Sequence, residues 1–246
     1  MLTDERRAHL LSRLRAEGRL VATDLAAELG TSEDTIRRDL RDLAAAGLLI
    51  RVHGGALPAS PTHRPLSDRQ GMQMAAKARL ARAAAGLIRP GMIVLVDGGT
   101  THLALVAALP CDLSATIVTH SPGIAAALEP FAQIDVLLLG GRLFRHSMVA
   151  LGQSTREGLE RVTADLCLLG VTGLSAETGL TTGDPEEARF KAAMMARAAE
   201  VAVLATSDKI GAASPWQVAP LSGLTLLVSE GAPPGWLPGG VRHITA

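Results

Sequence analysis

The chain has 246 residues, 48% hydrophobic and 20% charged, which is enough for one large domain or two smaller ones and excludes wholesale disorder. Its 24 basic and 24 acidic residues cancel, so any nucleic-acid contact must come from where charges point rather than from their sum. Aromatic residues are 2% with no tyrosine, which excludes the stacking platforms that read single strands.

The first residues, Met1 to Arg7, are charged and have no apolar signal region. From Asp4 to about Ala16 the apolar Leu10, Leu11 and Leu14 recur at helical spacing, and a second short helix is expected from Ala22 to Leu29. Gly30 then supplies a turn. Ser32 sits where a helix needs an N-cap, because its hydroxyl can accept a free backbone N–H. In the helix that follows, Ile36, Leu40 and Leu43 form one apolar stripe and leave Thr35, Arg37, Arg38 and Arg41 on other faces. Such a helix suits a DNA major groove: its early residues reach base edges and its arginines reach phosphate. Glu33 and Asp34 favour the dipole at its first turn. Residues 48–55 read as a strand and a glycine tip carrying Arg51 and His53, the wing of a winged helix-turn-helix. The bland alternative is a plain three-helix bundle.

Residues 5–56, through Thr-Ile-Arg-Arg-Asp-Leu and Arg-Val-His-Gly-Gly-Ala, resemble the DNA-binding domain of the DeoR family of bacterial transcriptional regulators. That family usually caps its second helix with Ser or Thr, where this chain has Val21. A missing cap costs about 1 kcal/mol, and Thr23 is the residue available to cap a shorter helix. The winged domain is assigned to residues 3–58, with the helix-turn-helix at about 20–39.

Pro58, Pro61 and Pro65 mark residues 57–70 as a linker, expected to be an extended, semi-rigid spacer. Beyond it, residues 71–246 alternate between helices and short apolar strands. A helix is expected over 72–89. Strands are expected at Ile93–Val96, Thr116–Thr119, Val136–Leu139, Leu166–Gly170, Val201–Ala205 and Leu224–Val228, with helices at His102–Leu109, Pro122–Leu128, Thr155–Val162 and Pro185–Ala199. Near-continuous apolar strands between helices predict an α/β domain whose mainly parallel sheet is covered on both faces. Cys111 and Cys167 stand alone in apolar stretches, so buried, reduced thiols are expected and no zinc site. No apolar run reaches the roughly 18 residues of a membrane span. A cytoplasmic protein with no membrane association is expected.

Ligands of such sheets bind beyond the carboxyl ends of the strands. The first strand runs into Asp97-Gly98-Gly99-Thr100-Thr101, a turn whose bare backbone and hydroxyls suit phosphate. The alternative is an ordinary glycine-rich turn. Val118-Thr119-His120 ends the second strand, and Gly140-Gly141-Arg142 follows the third. Gly179 to Gly183 reads as a turn before a helix on which Glu187 and Lys191 share a face, at its blandest a surface ion pair. Lys209 follows the fifth strand. Small residues, hydroxyls and cations at one edge suit a small polyhydroxylated anion.

This half is similar to the effector domain of DeoR-type regulators, related to ribose-5-phosphate isomerase and glucosamine-6-phosphate deaminase. The resemblance implies a phosphorylated sugar that changes operator affinity, with Asp97, Gly99, Thr100 and Thr101 in its phosphate loop and Glu187, Lys191 and Lys209 on the ligand side. His120 stands where the family commonly has Asn. Thr206-Ser207-Asp208-Lys209 replaces its common Asp-x-Ser-Lys. The expected protein is a regulator, with repression the expected sign. It has no catalytic residue, metal or cofactor other than the sugar phosphate, and binds double-stranded operator DNA as a homo-oligomer, dimer or tetramer. The alternative is a sugar-phosphate isomerase-like enzyme with an appended DNA-binding domain, using Asp97 or Glu187 as general base. A dinucleotide site is weaker still, because the turn lacks GxGxxG.

Overall fold

A computed structural model describes residues 2–60 and 65–246. The N-terminal part runs α1 (Thr3–Glu17), β1 (Leu20–Val21), α2 (Ala22–Glu28), α3 (Glu33–Ala45), β2 (Leu49–Val52) and β3 (Gly55–Pro58). Ser32 caps α3 as its position predicts: its hydroxyl accepts the Thr35 N–H at 3.2 Å. Ile36, Leu40 and Leu43 then face Leu10, Leu14, Leu25 and Leu49 in one buried cluster. Thr23 caps nothing. The residue before α2 is Val21, and the Ala22 N–H donates instead to the Gly54 carbonyl at 2.8 Å, so the wing turn takes over part of the work of a side-chain cap. The three strands form an antiparallel sheet in the order β1-β3-β2. Gly55 is needed there because a Cβ at that position would lie 1.8 Å from the Leu20 carbonyl oxygen.

One polar contact ties this small core together. Asp39 on α3 is buried and accepts from Arg6 and Arg7 of α1, with Arg7 Nε at 3.1 Å, while Asp42 takes a further contact from Arg7. Two of the acids that cancel the DNA-binding domain's charge, buried Asp39 and exposed Asp42, are thus engaged in ties between α3 and α1. Asp39→Ala is expected to lower the stability of this domain by roughly 2 kcal/mol, because charge-assisted hydrogen bonds are lost, Arg6 loses its partner and Arg7 keeps only Asp42. Chemical denaturation followed by circular dichroism checks it, and an unchanged midpoint would show that the pairs are spectators.

The joining segment is not a free spacer. Leu57 and Pro58 complete β3. The Ser60 N–H donates to the Ala213 carbonyl, the Ala213 N–H to Pro58, and the Ser60 hydroxyl to the Thr172 carbonyl at 2.6 Å. Pro61 lies outside the described residues. Pro65 leads into α4 (Leu66–Arg69), whose buried Leu66 donates its N–H to the His146 carbonyl at 2.8 Å. A second tie between the halves is the Arg19–Glu177 ion pair at 2.7 Å. The described parts of the segment, residues 57–60 and 65–70, are received by the C-terminal part, which prolines alone do not signal.

The C-terminal part continues with α5 (Met74–Ala85), β4 (Ile93–Val96), α6 (Thr100–Val106), β5 (Ala115–Thr119), α7 (Pro122–Ala127), β6 (Ile134–Leu138), β7 (Arg142–Phe144), β8 (Val149–Leu151), α8 (Gln153–Glu160), β9 (Ala164–Leu169), β10 (Gly173–Ser175), β11 (Gly179–Thr182), α9 (Pro185–Ala196), β12 (Ala198–Ala205), β13 (Trp216–Ala219), β14 (Leu226–Ser229) and β15 (Arg242–Thr245). Seven strands form a parallel sheet in the order β15-β14-β12-β9-β4-β5-β6. Alternation splits its side chains between two cores. Val94 and Val96 face Leu80, Ala84 and Leu105, while Leu95 faces Cys167, Phe190 and Met194.

Several elements differ from the sequence reading. The first helix of this domain is shorter than 72–89, because the chain tightens through the Leu87→Ala84 and Ile88→Ala85 turns before Pro90. Gly179 to Thr182 is a strand, β11, held between β10 and β13. Strands β7, β8, β10, β13 and β15 were not foreseen; they are three or four residues long, β7–β8 and β10–β11 being short hairpins while β13 and β15 pair with β11 and β14. Cys111 is exposed rather than buried, and Cys167 is buried.

Chain order makes β4 the turning point. The path leaves it toward β5 and β6, then returns on its other side to β9, β12, β14 and β15. Loops after β4 and β9 therefore diverge and leave a crevice beyond the strand ends.

Candidate functional site

Two surfaces need describing, one on each half. On α3, Arg37, Arg38 and Arg41 are exposed on the side away from the apolar stripe. Arg37 pairs with Glu33 at 2.5 Å, one turn back. Arg38 and Arg41 have no ion-pair partner among the described residues. Thr35 is spent locally, its hydroxyl 2.9 Å from that of the capping Ser32. Arg51 on β2 and His53 at the wing tip are also exposed.

In the other half, a cavity of about 270 Å³ opens at the crevice between the ends of β4 and β9. Below it lies a buried carboxylate, Asp97. Its Oδ1 accepts from the Gly98 N–H at 2.7 Å and lies 3.0 Å from His120 Nε2; its Oδ2 accepts from the Gly170 N–H at 2.9 Å and from Lys191. Burial opposes ionisation of Asp97, but the Lys191 charge and the His120 contact outweigh it and hold the carboxyl far below the usual carboxylate range. Lys191 also donates to the Gly170 carbonyl at 3.0 Å and lies 3.5 Å from Glu187. Burial lowers its pKa and Asp97 and Glu187 raise it, leaving the ammonium above its ordinary value. The other oxygen of Glu187 accepts from the Ser147 and Thr182 hydroxyls. Asp184 sets the geometry by capping α9: its Oδ1 accepts from the Glu186 and Glu187 N–H groups.

The residues expected at the site fall into three groups. Gly99, Thr100, Thr101, Glu187, Lys191 and Lys209 line the cavity. Gly99 has φ 114°, a conformation that favours glycine and lets the chain turn from β4 into α6. Asp97 and His120 lie behind the wall. His120 is fully buried between Asp97 and the Ala150 carbonyl and stacks on Phe190, so it organises the site without reaching a ligand. Arg142 and Gly141 are elsewhere. Arg142 is exposed and paired with Glu186 at 2.9 Å, because β7 carries it outward. Gly141 is required for packing, since a Cβ there would lie 2.0 Å from the Thr155 hydroxyl. Glu187 and Lys191 are buried and mutually satisfied, not the surface pair that their spacing alone suggests.

The cavity residues that the sequence reading missed include Arg69, His102 and His146. His102 Nδ1 lies 3.1 Å from the Gly98 carbonyl, which can only accept, so Nδ1 carries the proton. Burial, with Lys191 and Lys209 nearby, pushes the ring down to about 4, so it is neutral at pH 7. Its Nε2 is then a buried acceptor without a partner. Lys209 is buried and has no hydrogen-bond or ion-pair partner for its ammonium among the described residues. Burial, offset in part by Asp208 and reinforced by Arg69, Lys77 and Lys191, lowers it to about 8.

Residues 6–62 match the DeoR-like helix-turn-helix domain, and residues 72–231 match the DeoR C terminal sensor domain. The chain belongs to the DeoR family. The HTH-type transcriptional regulator GlpR of Haloferax volcanii is 35% identical over 94% of this chain and 91% of its own length. The HTH-type transcriptional repressor GlcR of Bacillus subtilis is 32% identical over 95% and 90%, and the glycerol-3-phosphate regulon repressor of Escherichia coli is 28% identical over 95% and 93%. Among solved structures, ribose 5-phosphate isomerase A of Methanocaldococcus jannaschii aligns over 55% of this chain and 53% of its own at 17% identity, with a TM-score of 0.40.

This DeoR-family protein is a DNA-binding transcriptional regulator and not an enzyme, like the curated relatives it matches. The site agrees with that. A carboxylate that accepts from two backbone N–H groups and the Lys191 ammonium, with the His120 ring beside it, has little affinity for a proton, so Asp97 makes a poor general base. Arg38→Ala is expected to weaken operator binding by more than about tenfold at fixed salt with the fold intact, the effect of losing a base or phosphate contact. Arg51→Ala on the wing is expected to weaken specific and random DNA by similar factors, as a phosphate contact does. Gel-shift titrations measure both; unchanged affinity for Arg38→Ala would remove α3 from the interface.

Proposed function

We propose that this regulator is a repressor of sugar or polyol metabolism genes, and that a small phosphorylated sugar or polyol bound in the β4–β9 cavity changes its operator affinity. The observation that carries this reading is the pair of cavity cations that the chain leaves without carboxylate partners, Lys209 and Arg69. A buried cation without a counter-charge is costly, and an anion of two charges relieves it. Thr100 and Thr101 bring hydroxyls to the same cavity. The bare Nε2 of His102 adds a hydrogen-bond acceptor, which suits a ligand hydroxyl rather than a second anionic group. A cavity of about 270 Å³ favours a ligand of few carbons. The names of the relatives, one a glycerol-3-phosphate regulon repressor, support the same class. The reading needs no metal or further cofactor.

The ligand acts only if it binds the DNA-competent and incompetent states differently. Helix-turn-helix operators present two half-sites, so a homo-oligomer, dimer or tetramer, belongs to the proposal, with double-stranded operator DNA as partner. None of the described helices is long and apolar enough to cross a membrane. A cytoplasmic setting is proposed because operator DNA and phosphorylated intermediates meet there.

The test is fluorescence anisotropy with the DNA upstream of the protein's own gene, titrated with phosphorylated sugars and polyols and with their unphosphorylated counterparts. A phosphorylated compound alone is expected to change affinity; a response to the unphosphorylated forms alone overturns the reading. Thr100→Val and Lys209→Ala are expected to keep ligand-free operator affinity and to lose about 1.5–3 kcal/mol of effector affinity by calorimetry, the usual size of a hydrogen bond to a charged group. The pH dependence has a defined sign. Lys209 is protonated below about 8 and loses its charge above it, so effector affinity falls as pH rises through about 8. Lys209→Arg, charged throughout, is expected to flatten that fall.

A further inference from the structure

The segment joining the two domains forms part of the cavity wall. Arg69 ends α4, and it lines the cavity together with Thr100 and Lys209. The same three residues also line a small adjoining cleft between α5 and the loop after β12. The Arg69 Nε is buried without a hydrogen-bond partner, and no carboxylate pairs with the guanidinium among the described residues. Burial lowers its pKa, and Glu187 and Asp97 offset that only through space. Both acids are committed elsewhere, Asp97 to its four donors and Glu187 to Lys191, Ser147 and Thr182. The neighbouring charges do not serve Arg69 either. Lys77 donates to the Arg69 and Met72 carbonyls, at 2.7 and 2.5 Å, and Asp208 accepts from Thr206.

The backbone of this segment is hooked to the cavity at two further points. Leu66 donates to the carbonyl of His146, and the Ser60 hydroxyl donates to the carbonyl of Thr172; both His146 and Thr172 line the cavity. Ser60 is two residues past Pro58, the last residue of the wing strand β3.

We propose that Arg69 is a direct contact of the effector's phosphate, so that the segment joining the domains is itself part of the effector site and carries occupancy to the DNA-binding domain. The inference rests on the phosphorylated-effector reading. A dianion shared by Arg69, Lys209 and Thr100 binds tightly only while α4 stays docked at the cavity mouth. The ligand therefore favours arrangements of the joining segment that keep it there. Arginine suits the task because its planar fork can hold two phosphate oxygens at once.

The test uses the full chain. Calorimetry measures binding of inorganic phosphate, glycerol 3-phosphate, fructose 1-phosphate, fructose 6-phosphate and glucose 6-phosphate to the wild type, Arg69→Ala, Arg69→Lys and Lys209→Ala. Hydrogen exchange follows the amides of residues 65–72 with and without the compound that binds. Arg69→Ala is expected to weaken that compound by about tenfold or more, the loss of a charge-assisted contact, and Arg69→Lys is expected to restore part of it. Ligand-free melting temperature and operator affinity stay unchanged. The amides gain protection on binding in the wild type, and at saturation they do not in Arg69→Ala. Wild-type affinity in Arg69→Ala, with a loss in Lys209→Ala, overturns this inference and leaves the effector reading standing. Loss in both Arg69 variants together with a lowered melting temperature assigns Arg69 to structure alone and also overturns it. Failure of every phosphorylated compound to bind the wild type overturns the effector reading and this inference with it.

Discussion

The sensor half is organised around a buried carboxylate, Asp97, behind the cavity wall. Asp97 leaves the end of β4 and holds, through four contacts, the turn into α6, the Gly170 turn after β9, His120 after β5 and Lys191 of α9. These partners come from both sides of the sheet's turning point. Neither the position of Thr100 nor that of the α9 wall is independent of it. Lone buried charges are unstable, and clusters that lose a member lose several kcal/mol. The cluster here is closed: Lys191 is shared between Asp97, Glu187 and the Gly170 carbonyl, and Glu187 is completed by two hydroxyls.

Closure of that inner cluster separates support from recognition. The groups of the inner cluster satisfy one another, while Lys209, Arg69 and the Nε2 of His102 are among the cavity groups that have no hydrogen-bond partner among the described residues. The separation also accounts for the departure from the family's common Asn. His120 is sandwiched between Asp97, the Ala150 carbonyl and the Phe190 ring, where its bulk serves packing as much as hydrogen bonding.

The DNA-binding half resolves an apparent contradiction in the composition. A net charge of zero looks unsuited to a polyanion, yet two of the four acids of α3 pair with arginines of α1 and a third, Glu33, pairs with Arg37. Asp39 is buried and Asp42 faces Arg7, both turned toward α1, while Arg38 and Arg41 remain exposed and unpaired. Charge cancellation in the sum coexists with exposed arginines on α3 because Asp39 and Asp42 are engaged by Arg6 and Arg7 of α1. The joining segment adds a physical route between the halves, with backbone ties at Ser60 and Leu66 and the Arg19–Glu177 pair bridging directly. Coupling needs such ties to have more than one arrangement, with the ligand stabilising one of them.

The local code of this chain determined the N-terminal domain almost completely. Ser32 capping α3, the Ile36–Leu40–Leu43 stripe and the glycine wing are all interactions over a few residues, so periodicity and turn chemistry are sufficient to read them. The same logic read the main parallel strands and the glycine turn from Asp97 to Thr101 that lines the cavity, since apolar runs and strand-end glycines are local signals. What only tertiary structure decided was which polar groups meet. Arg142 looked like a site cation and points to solvent, because a three-residue hairpin strand set its direction. Glu187 and Lys191 looked like a surface pair and are buried. Arg69 sits in a proline-marked stretch with no periodicity and enters the cavity only because α4 docks there, and His102 is marked by nothing except a burial that strips its outer nitrogen of partners. Proline content described how the linker bends, not that Ala213, Thr172 and His146 receive it. Those contacts join residues about 80 to 150 positions apart, and sequence spacing alone does not encode which distant surfaces come together.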